Sequence, residues 1–526
     1  MVKVLFINPV IREEVEARHV PYGLALMAAM ASKLGHEVQV FDANAWRPSD
    51  ESLAEVLSAD RWDIVATGGI TTAYGYIKKA VQAAKTHAPQ ALVVAGGGFL
   101  TSMPIEVMNF LPQIDLGVVG EGFETWPEIL ERVERKNKVW SQVAGVVYRK
   151  KDGAISLTEP RELIRNLDSL PYPAWEFFPL EIYFKNSGVL LSEEAMLAKR
   201  RLDINVSYGC SLICRFCFHL GLTGDLKYVK TEQGQDVTFT HDRLIRYHSP
   251  RYVVDLVKHA HAKFGVDFIA FLDENLMTMN AYTRGAWLPE ICDLWIKEGL
   301  QPECIRKGVP HDPETCQGVH WGGTSHVSLV NTDVLKLMRR AGCTYLDYGM
   351  ESFSNRILKT IGKGATAKTN ERGVKMTMEA GIRPIPNQII GFPDEFFDSI
   401  HDCMRAWDTT GIVARPFFAT PYPGSEWYHV YKHRIIEQYN GDLESFLLDL
   451  GDATKITAVI SANFTAVELL GIRELMIARD YKRIKQHEEL WWRTRGAPQF
   501  PEARRLNMPF PNLTGPMERT KGDSNE

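Results

Sequence analysis

Tyr208-Gly209-Cys210-Ser211-Leu212-Ile213-Cys214-Arg215-Phe216-Cys217-Phe218 follows the strand-like run Ile204–Ser207 and puts three cysteines within eight residues. A strand that ends this way delivers three thiolates on one loop. Three ligands suit an iron-sulfur cluster with one incompletely ligated iron, because a four-cysteine cluster needs a fourth protein thiolate and none is nearby. An open coordination position is a reactive one, able to take an amine and a carboxylate, or a substrate. The alternative is a structural zinc site in which His219 joins Cys210, Cys214 and Cys217, although zinc-binding pairs are usually parted by a longer loop.

Downstream, strand-like runs recur at Phe268–Leu272, His326–Val330, Tyr345–Met350, Gln388–Ile390 and Pro416–Thr420, with helical segments between them. Six β/α repeats predict a barrel or partial barrel whose chemistry lies at the C-terminal ends of its strands. Asp273 and Glu274 end the second strand of that series; Ser325, His326, Glu351 and Ser352 lie beside the third and fourth. Beyond Pro423-Gly424 the pattern is helical, and from about Gly496 to Glu526 it becomes rich in Pro, Asn, Arg and Glu, which reads as a poorly ordered tail.

Upstream, Val2–Asn8, Val38–Asp42, Ile64–Thr67, Leu92–Ala95 and Leu116–Val119 each precede a stretch of helical period, the rhythm of a parallel sheet covered on both faces. Gly68-Gly69, Gly96-Gly97-Gly98 and Gly120-Glu121-Gly122 fall at the carboxyl ends of its third, fourth and fifth strands, the edge where open α/β sheets bind ligands. Any one of them could be a plain turn; three on one edge point to a bulky ligand. A hairpin follows over residues 146–157, turning at Asp152-Gly153, and then an extended linker at Leu170-Pro171-Tyr172-Pro173. The expected divisions are residues 1–140, 141–200 (hairpin and linker), 201–425, 426–495 and the tail 496–526.

The chain of 526 residues is long enough for several cores, and 24% charged with 45% hydrophobic residues excludes a disordered or collagen-like protein. A net charge of -5, from 60 basic and 65 acidic residues, provides no global field for nucleic acid or anionic lipid. Eight cysteines are too few for a disulfide scaffold of this size, so a reducing cytoplasm is expected. The start lacks the apolar core and cleavage site of a signal peptide. The longest later uncharged apolar stretch, Val20–Ala31, falls short of the roughly 20 residues that span a bilayer. Cys292, Cys343 and Cys403 read as buried packing residues. Cys304, His311, Cys316 and His320 follow no trusted ligand spacing and read as scattered loop residues. Arg243, Arg246, His248 and Arg251 read as a solvated basic face or a local anion site.

The spacing of Cys210, Cys214 and Cys217, with Phe216 before the last of them, resembles the signature of the radical S-adenosylmethionine (SAM) superfamily. The N-terminal unit is similar to the cobalamin-binding domain of one large subgroup, through Pro21-Tyr22-Gly23-Leu24, Gly35-His36-Glu37-Val38 and Val119-Gly120-Glu121-Gly122. The fold implied is a flavodoxin-like cobalamin domain, then a partial (β/α)6 barrel and a helical C-terminal region. The resemblance implies a 4Fe-4S cluster on Cys210, Cys214 and Cys217, and SAM contacts from Phe216, Asp273, Glu274, Ser325, Glu351 and Gly391. Asp273 and Glu274 stand where the family's Gly-Gly-Glu motif binds the methionine amine, but without its two glycines. Glu351 matches a polar residue near the ribose, and Ile390-Gly391-Phe392-Pro393 a motif packed on adenine. Cobalamin would lie against Gly68, Gly69, Gly97, Gly98, Gly120, Glu121 and Gly122. No Asp-x-His-x-x-Gly run follows the first strand, so no histidine from that motif would lie beneath the cobalt.

The function implied is a methyltransferase that moves a methyl group from methylcobalamin to an unactivated carbon or a phosphinate phosphorus of a small substrate, using a 5'-deoxyadenosyl radical and an external one-electron reductant of flavodoxin or ferredoxin type. Two other readings stay open: an oxidative cyclase or ring-rearranging enzyme without net methyl transfer, and a non-catalytic cobalamin or metal sensor.

Overall fold

The computed structural model describes residues 1–186, 191–218, 226–231, 234–238 and 244–501. His219 and Arg243, both invoked above, lie outside the described residues, as does the tail from 502 onward.

The first sheet is built on five parallel strands, β1 (Lys3–Asn8), β2 (Glu37–Asp42), β3 (Ile64–Gly68), β4 (Leu92–Gly96) and β5 (Leu116–Val118), in the spatial order β2-β1-β3-β4-β5. Val4 to Ile7 is buried without interruption because helices cover both faces. The hairpin strands β6 (Val146–Arg149) and β7 (Ile155–Leu157) extend this sheet antiparallel beyond β5.

Alternate residues of β1 feed two cores. Val4 and Phe6 belong to one that runs through Trp175 and Phe178, just past the linker, to Val253 and Val257 on a barrel helix. Leu5 and Ile7 belong to another that is closed by Tyr428, Phe446 and Leu447 from the C-terminal region. The linker segment is therefore packing material between the two sheets: Trp175 is fully buried, and the Tyr183 hydroxyl donates to Asp42 at 2.7 Å.

The second sheet holds six parallel strands in sequence order, Arg201–Ile204, Phe268–Phe271, His320–Ser325, Cys343–Glu351, Arg383–Ile390 and Phe417–Phe418, as an open partial barrel. Five of the six fall on or beside the expected runs. The third is displaced: His326–Val330 is the expected strand, but the strand is His320–Ser325 and Val327–Leu329 forms a 3-10 turn. Gly322-Gly323 lies inside this strand, where the sheet leaves no room for side chains. A Cβ on Gly322 would lie 2.3 Å from the Tyr345 ring, and one on Gly323 2.9 Å from the Phe271 Cβ.

Among the described residues, four helices follow the last strand. Glu426–Gln438 and Leu443–Asp449 reach back to the first sheet, where Lys432 pairs with Glu106 at 2.9 Å and Glu444 takes hydrogen bonds from Tyr74 and Lys78, each at 2.7 Å. Ala466–Ile477 and Tyr481–Arg495 cover the fifth-strand end, where Trp491 meets Phe396 at 4.8 Å.

A buried acid beneath these helices makes stability pH-dependent. Glu395 is 2% exposed, and burial pushes its carboxyl from the ordinary 4.5 up to about 8. Between those values the folded protein holds a proton that the unfolded chain releases. The contribution is thus fully present below 4.5 and is lost as pH rises toward 8. Denaturant midpoints are expected to fall over that window in the wild type. In Glu395→Gln, which keeps the neutral form at every pH, the slope should flatten; an unchanged slope would locate the titration elsewhere.

Candidate active site between the two sheets

The carboxyl ends of both sheets face a single cavity of about 1100 Å³. One wall contains Gly68, Gly69, Gly97, Gly98, Gly120, Glu121 and Gly122 from the first sheet. The other contains Cys210, Cys214, Phe216, Cys217, Glu274, Ser325 and Glu351 from the barrel. Every expected site residue except Asp273 and Gly391 thus borders the same space.

The thiol loop is fixed from below. Gly209 starts it with a φ of +99°, and a Cβ there would come within 2.5 Å of the Leu244 carbonyl. The Cys217 amide donates to the Cys214 carbonyl at 3.1 Å, and the Arg215 amide to Ile361 at 3.0 Å. Arg215 itself turns away from the cavity into a buried ion pair with Glu426 at 2.8 Å, tying the loop to the C-terminal helices. Phe216 lies 5.6 Å from the Trp427 ring. Burial, and then the charges of Cys214 and Cys210, push the Cys217 thiol well up, so a thiolate there requires a cation.

Beside the thiol loop, with Lys363 Nζ 5.8 Å over the Phe216 ring, is a second charged pair. Lys363 Nζ lies 2.9 Å from Glu351 Oε1, with side-chain exposures of 9% and 7%. Burial pulls the ammonium pKa down, but Glu351 and Cys214 outweigh it and hold it above its ordinary value. Glu351 adopts a φ of +59°, rare for a side-chain-bearing residue, beside a register shift between Gly349 and Glu351. Such a bulge re-aims a side chain, and local strain of this kind clusters at functional sites. Gly349 leaves the room: a Cβ would meet Glu351 Oε1 at 2.4 Å and Lys363 Nζ at 2.8 Å.

Near the second strand, Glu274 accepts from the Gly209 amide at 3.2 Å, and burial pushes its carboxyl up to about 7. Asn275 Oδ1 and Ser325 Oγ, both bordering the cavity, are buried without a hydrogen-bond partner among the described residues. Unmet buried polar atoms at a cavity wall are what a polar ligand would satisfy. His326 also borders the cavity, its Nε2 held by the Lys363 carbonyl at 3.0 Å.

The glycine wall is knitted by its own backbone, with the Gly69 amide donating to Gly96 at 3.1 Å and the Phe99 amide to Gly69 at 3.2 Å. Gly97 has a φ of +99°, and a Cβ on it would lie 2.6 Å from the Gly69 carbonyl oxygen. Gly97→Ala should therefore distort two turns at once, at a strain of about 1–3 kcal/mol. Corrinoid recovered with anaerobically purified protein is expected to drop several-fold while cluster iron stays. Undiminished corrinoid would show that this wall is not its seat.

Asp273 and Gly391 stand one layer back. Asp273 Oδ1 accepts from the Val206 amide at 3.1 Å and from the Ser207 hydroxyl, so it fixes the backbone leading into the thiol loop. Gly391 donates its amide to Glu395 and packs on Leu469; the strand residue Ile389 borders the cavity instead. Glu121 borders the cavity, but its carboxylate is occupied by Arg246 at 2.7 Å and the Ile164 amide at 2.9 Å. Arg246, whose backbone pairs with Tyr208 at the start of the thiol loop, is thereby a buried tie between that loop and the glycine wall, not part of a solvated face. Lys363 and Asn275 are absent from the sequence reading. Asn275 follows Glu274 directly and could have been included; Lys363, between two loop glycines, carries no local signal. Cys304, His311, Cys316 and His320, read as scattered, converge: their ligand atoms all lie within 4.8 Å of one another. The intervening loop folds back on itself, which spacing could not show.

Residues 8–130 match the family model of the B12 binding domain, and residues 204–406 that of the radical SAM superfamily. The chain carries a B12-binding domain followed by a radical SAM domain. An uncharacterized methyltransferase of Pyrococcus horikoshii is 28% identical to this radical SAM chain over 447 residues, covering 84% of it and 85% of the relative. The anaerobic magnesium-protoporphyrin IX monomethyl ester cyclase of Cereibacter sphaeroides is 27% identical over 430 residues, 80% of this chain and 62% of the cyclase. The solved structure of the cobalamin-dependent radical enzyme OxsB, with aqua-cobalamin and SAM bound, superposes with a TM-score of 0.61 at 15% identity over 93% of this chain and 62% of that one, which shows a shared fold. The chain thus spans less than two thirds of the cyclase and of OxsB.

The two domains imply a 4Fe-4S cluster, SAM and cobalamin as cofactors. The residues present fit them. Three thiols border the cavity, unpartnered polar atoms line the same wall, and a glycine edge without side chains faces them. Such a chain acts on a small molecule and needs a reductant. Among the described residues no helix is long and apolar enough to cross a membrane.

Proposed function

We propose that the chain is a methyltransferase that moves a methyl group held by cobalamin to an unactivated carbon, or a phosphinate phosphorus, of a small biosynthetic substrate. The observation that carries this reading is the single cavity joining the glycine edge of the first sheet to the thiol loop of the barrel. A substrate between those walls could reach both cofactors without leaving. When bound, the cluster and SAM supply a 5'-deoxyadenosyl radical, and cobalamin supplies the transferable methyl group.

The roles of this chain's residues follow from their chemistry. Cys210, Cys214 and Cys217 hold the cluster. Glu274 and Asn275 offer carboxylate and amide oxygens to the methionine amine. Glu351 accepts from ribose hydroxyls, and Lys363 fixes its carboxylate and adds positive charge beside the thiolates. Ser325 supplies a hydroxyl to the same ligand. Asp273 and Gly391 act as positioning residues behind it. Gly68, Gly69, Gly97, Gly98, Gly120 and Gly122 leave room for the corrin plane, and Glu121 with Arg246 keeps that wall in register with the barrel.

A second reading is supported by the cyclase relative at 27% identity: cyclisation or ring rearrangement without net methyl transfer. Anaerobic incubation with methyl-deuterated SAM, a reductant and a small-molecule extract separates the two. Methyl transfer predicts a product carrying CD3, with 5'-deoxyadenosine and S-adenosylhomocysteine both released. 5'-Deoxyadenosine with an unlabelled, modified product would reject it in favour of cyclisation.

A further inference from the structure

The geometry points to a second metal site, a structural zinc ion held by Cys304, His311, Cys316 and His320 at the foot of the barrel. Cys304 Sγ lies 3.3 Å from His320 Nε2 and 3.9 Å from His311 Nδ1, and the two imidazole rings meet edge-on at 4.6 Å. A tetrahedral zinc with Zn–S of about 2.3 Å and Zn–N of about 2.0–2.1 Å separates sulfur from nitrogen by about 3.6 Å. The two observed separations bracket that edge. The Cys304 amide donates to Cys316 Sγ at 3.4 Å, the kind of outer contact that steadies a thiolate ligand. Two thiolates and two neutral imidazoles leave a divalent ion electrically balanced. Cys304 and His320 are buried while His311 and Cys316 are partly open, which provides an entry path.

Position argues for a structural role. His320 begins the third barrel strand, so the site lies at the N-terminal end of the sheet, whereas the cavity lies at its carboxyl end. Between helix Glu303–Lys307 and that strand, residues 308–319 form no helix or strand, and Val309 is 52% exposed. A connection with so little apolar content needs another anchor. The metal would join the helix, the loop and the strand.

Metal analysis of anaerobically purified, dialysed full-length protein should find about one zinc per chain beside the cluster iron, with zinc-edge X-ray absorption showing two sulfurs at about 2.3 Å and two nitrogens at about 2.0 Å. His311→Asn combined with Cys316→Ser should lose the zinc and keep the iron, whereas Cys214→Ala should do the reverse. Zinc below about a tenth per chain, or a shell of only oxygen and nitrogen, would overturn the proposal. So would a loss of iron instead of zinc in the double variant. The absorption measurement uses the wild type, so a misfolded variant would not decide the outcome.

Discussion

Cys214→Ala is expected to reduce cluster iron from about four atoms per chain to background and to abolish 5'-deoxyadenosine formation. With no fourth cysteine in the loop, the variant keeps two thiolates, too few to retain the cluster. The protein should still fold. The loop is held by backbone bonds to Ile361 and by the Arg215–Glu426 pair, neither of which uses the sulfur. Corrinoid should still bind, because its wall belongs to the other sheet. Iron and sulfide analysis, the visible absorbance of reconstituted protein and chromatography of the nucleoside products check this together. Wild-type iron in the variant would place the cluster elsewhere.

The second large effect is on stability. Lys363→Met should destabilise the cofactor-free protein by about 3–5 kcal/mol, because it leaves the Glu351 carboxylate buried and unpaired. Both side chains are under a tenth exposed, so solvent does not screen the loss. The left-handed backbone at Glu351 allows it little freedom to swing toward water. Adding Glu351→Gln removes the orphaned charge and should recover most of the loss. A double-mutant cycle by urea unfolding measures the coupling. A cost below about 1 kcal/mol for Lys363→Met alone would mean that the pair is not truly desolvated. Both single variants should also bind SAM weakly, whereas a purely structural pair would leave affinity unmoved once folding is restored.

The parts that were legible before the fold were those written locally. Apolar β-branched runs marked β1 to β5, because strands buried on both faces carry their burial in consecutive residues. The three cysteines were readable as one group because they fall within eight consecutive residues, and the fold brings all three to the cavity wall. Three failures share one cause. The third barrel strand was expected at His326–Val330, because the glycines of the actual strand, His320–Ser325, answer to Tyr345 and Phe271, which arrive from other strands. Lys363 was invisible because its meaning comes from Glu351 across a bulge. The Cys304 group looked scattered because its spacing is set by how a loop closes, which no periodicity records. Arg246 belongs with these, since a basic residue reads as solvated until its carboxylate appears 125 residues away.

The helices Glu426–Gln438 and Leu443–Asp449 tie together the elements behind both walls of the cavity, through Glu426 to Arg215 of the thiol loop and through Lys432 and Glu444 to helices that flank the first sheet. The consequence is thermodynamic. Melting either sheet strips the other of a counter-charge or an apolar cover, so local openings are coupled across the domain boundary. The chain has two cofactor-binding halves in architecture, but toward heat or denaturant it is expected to unfold as one cooperative unit.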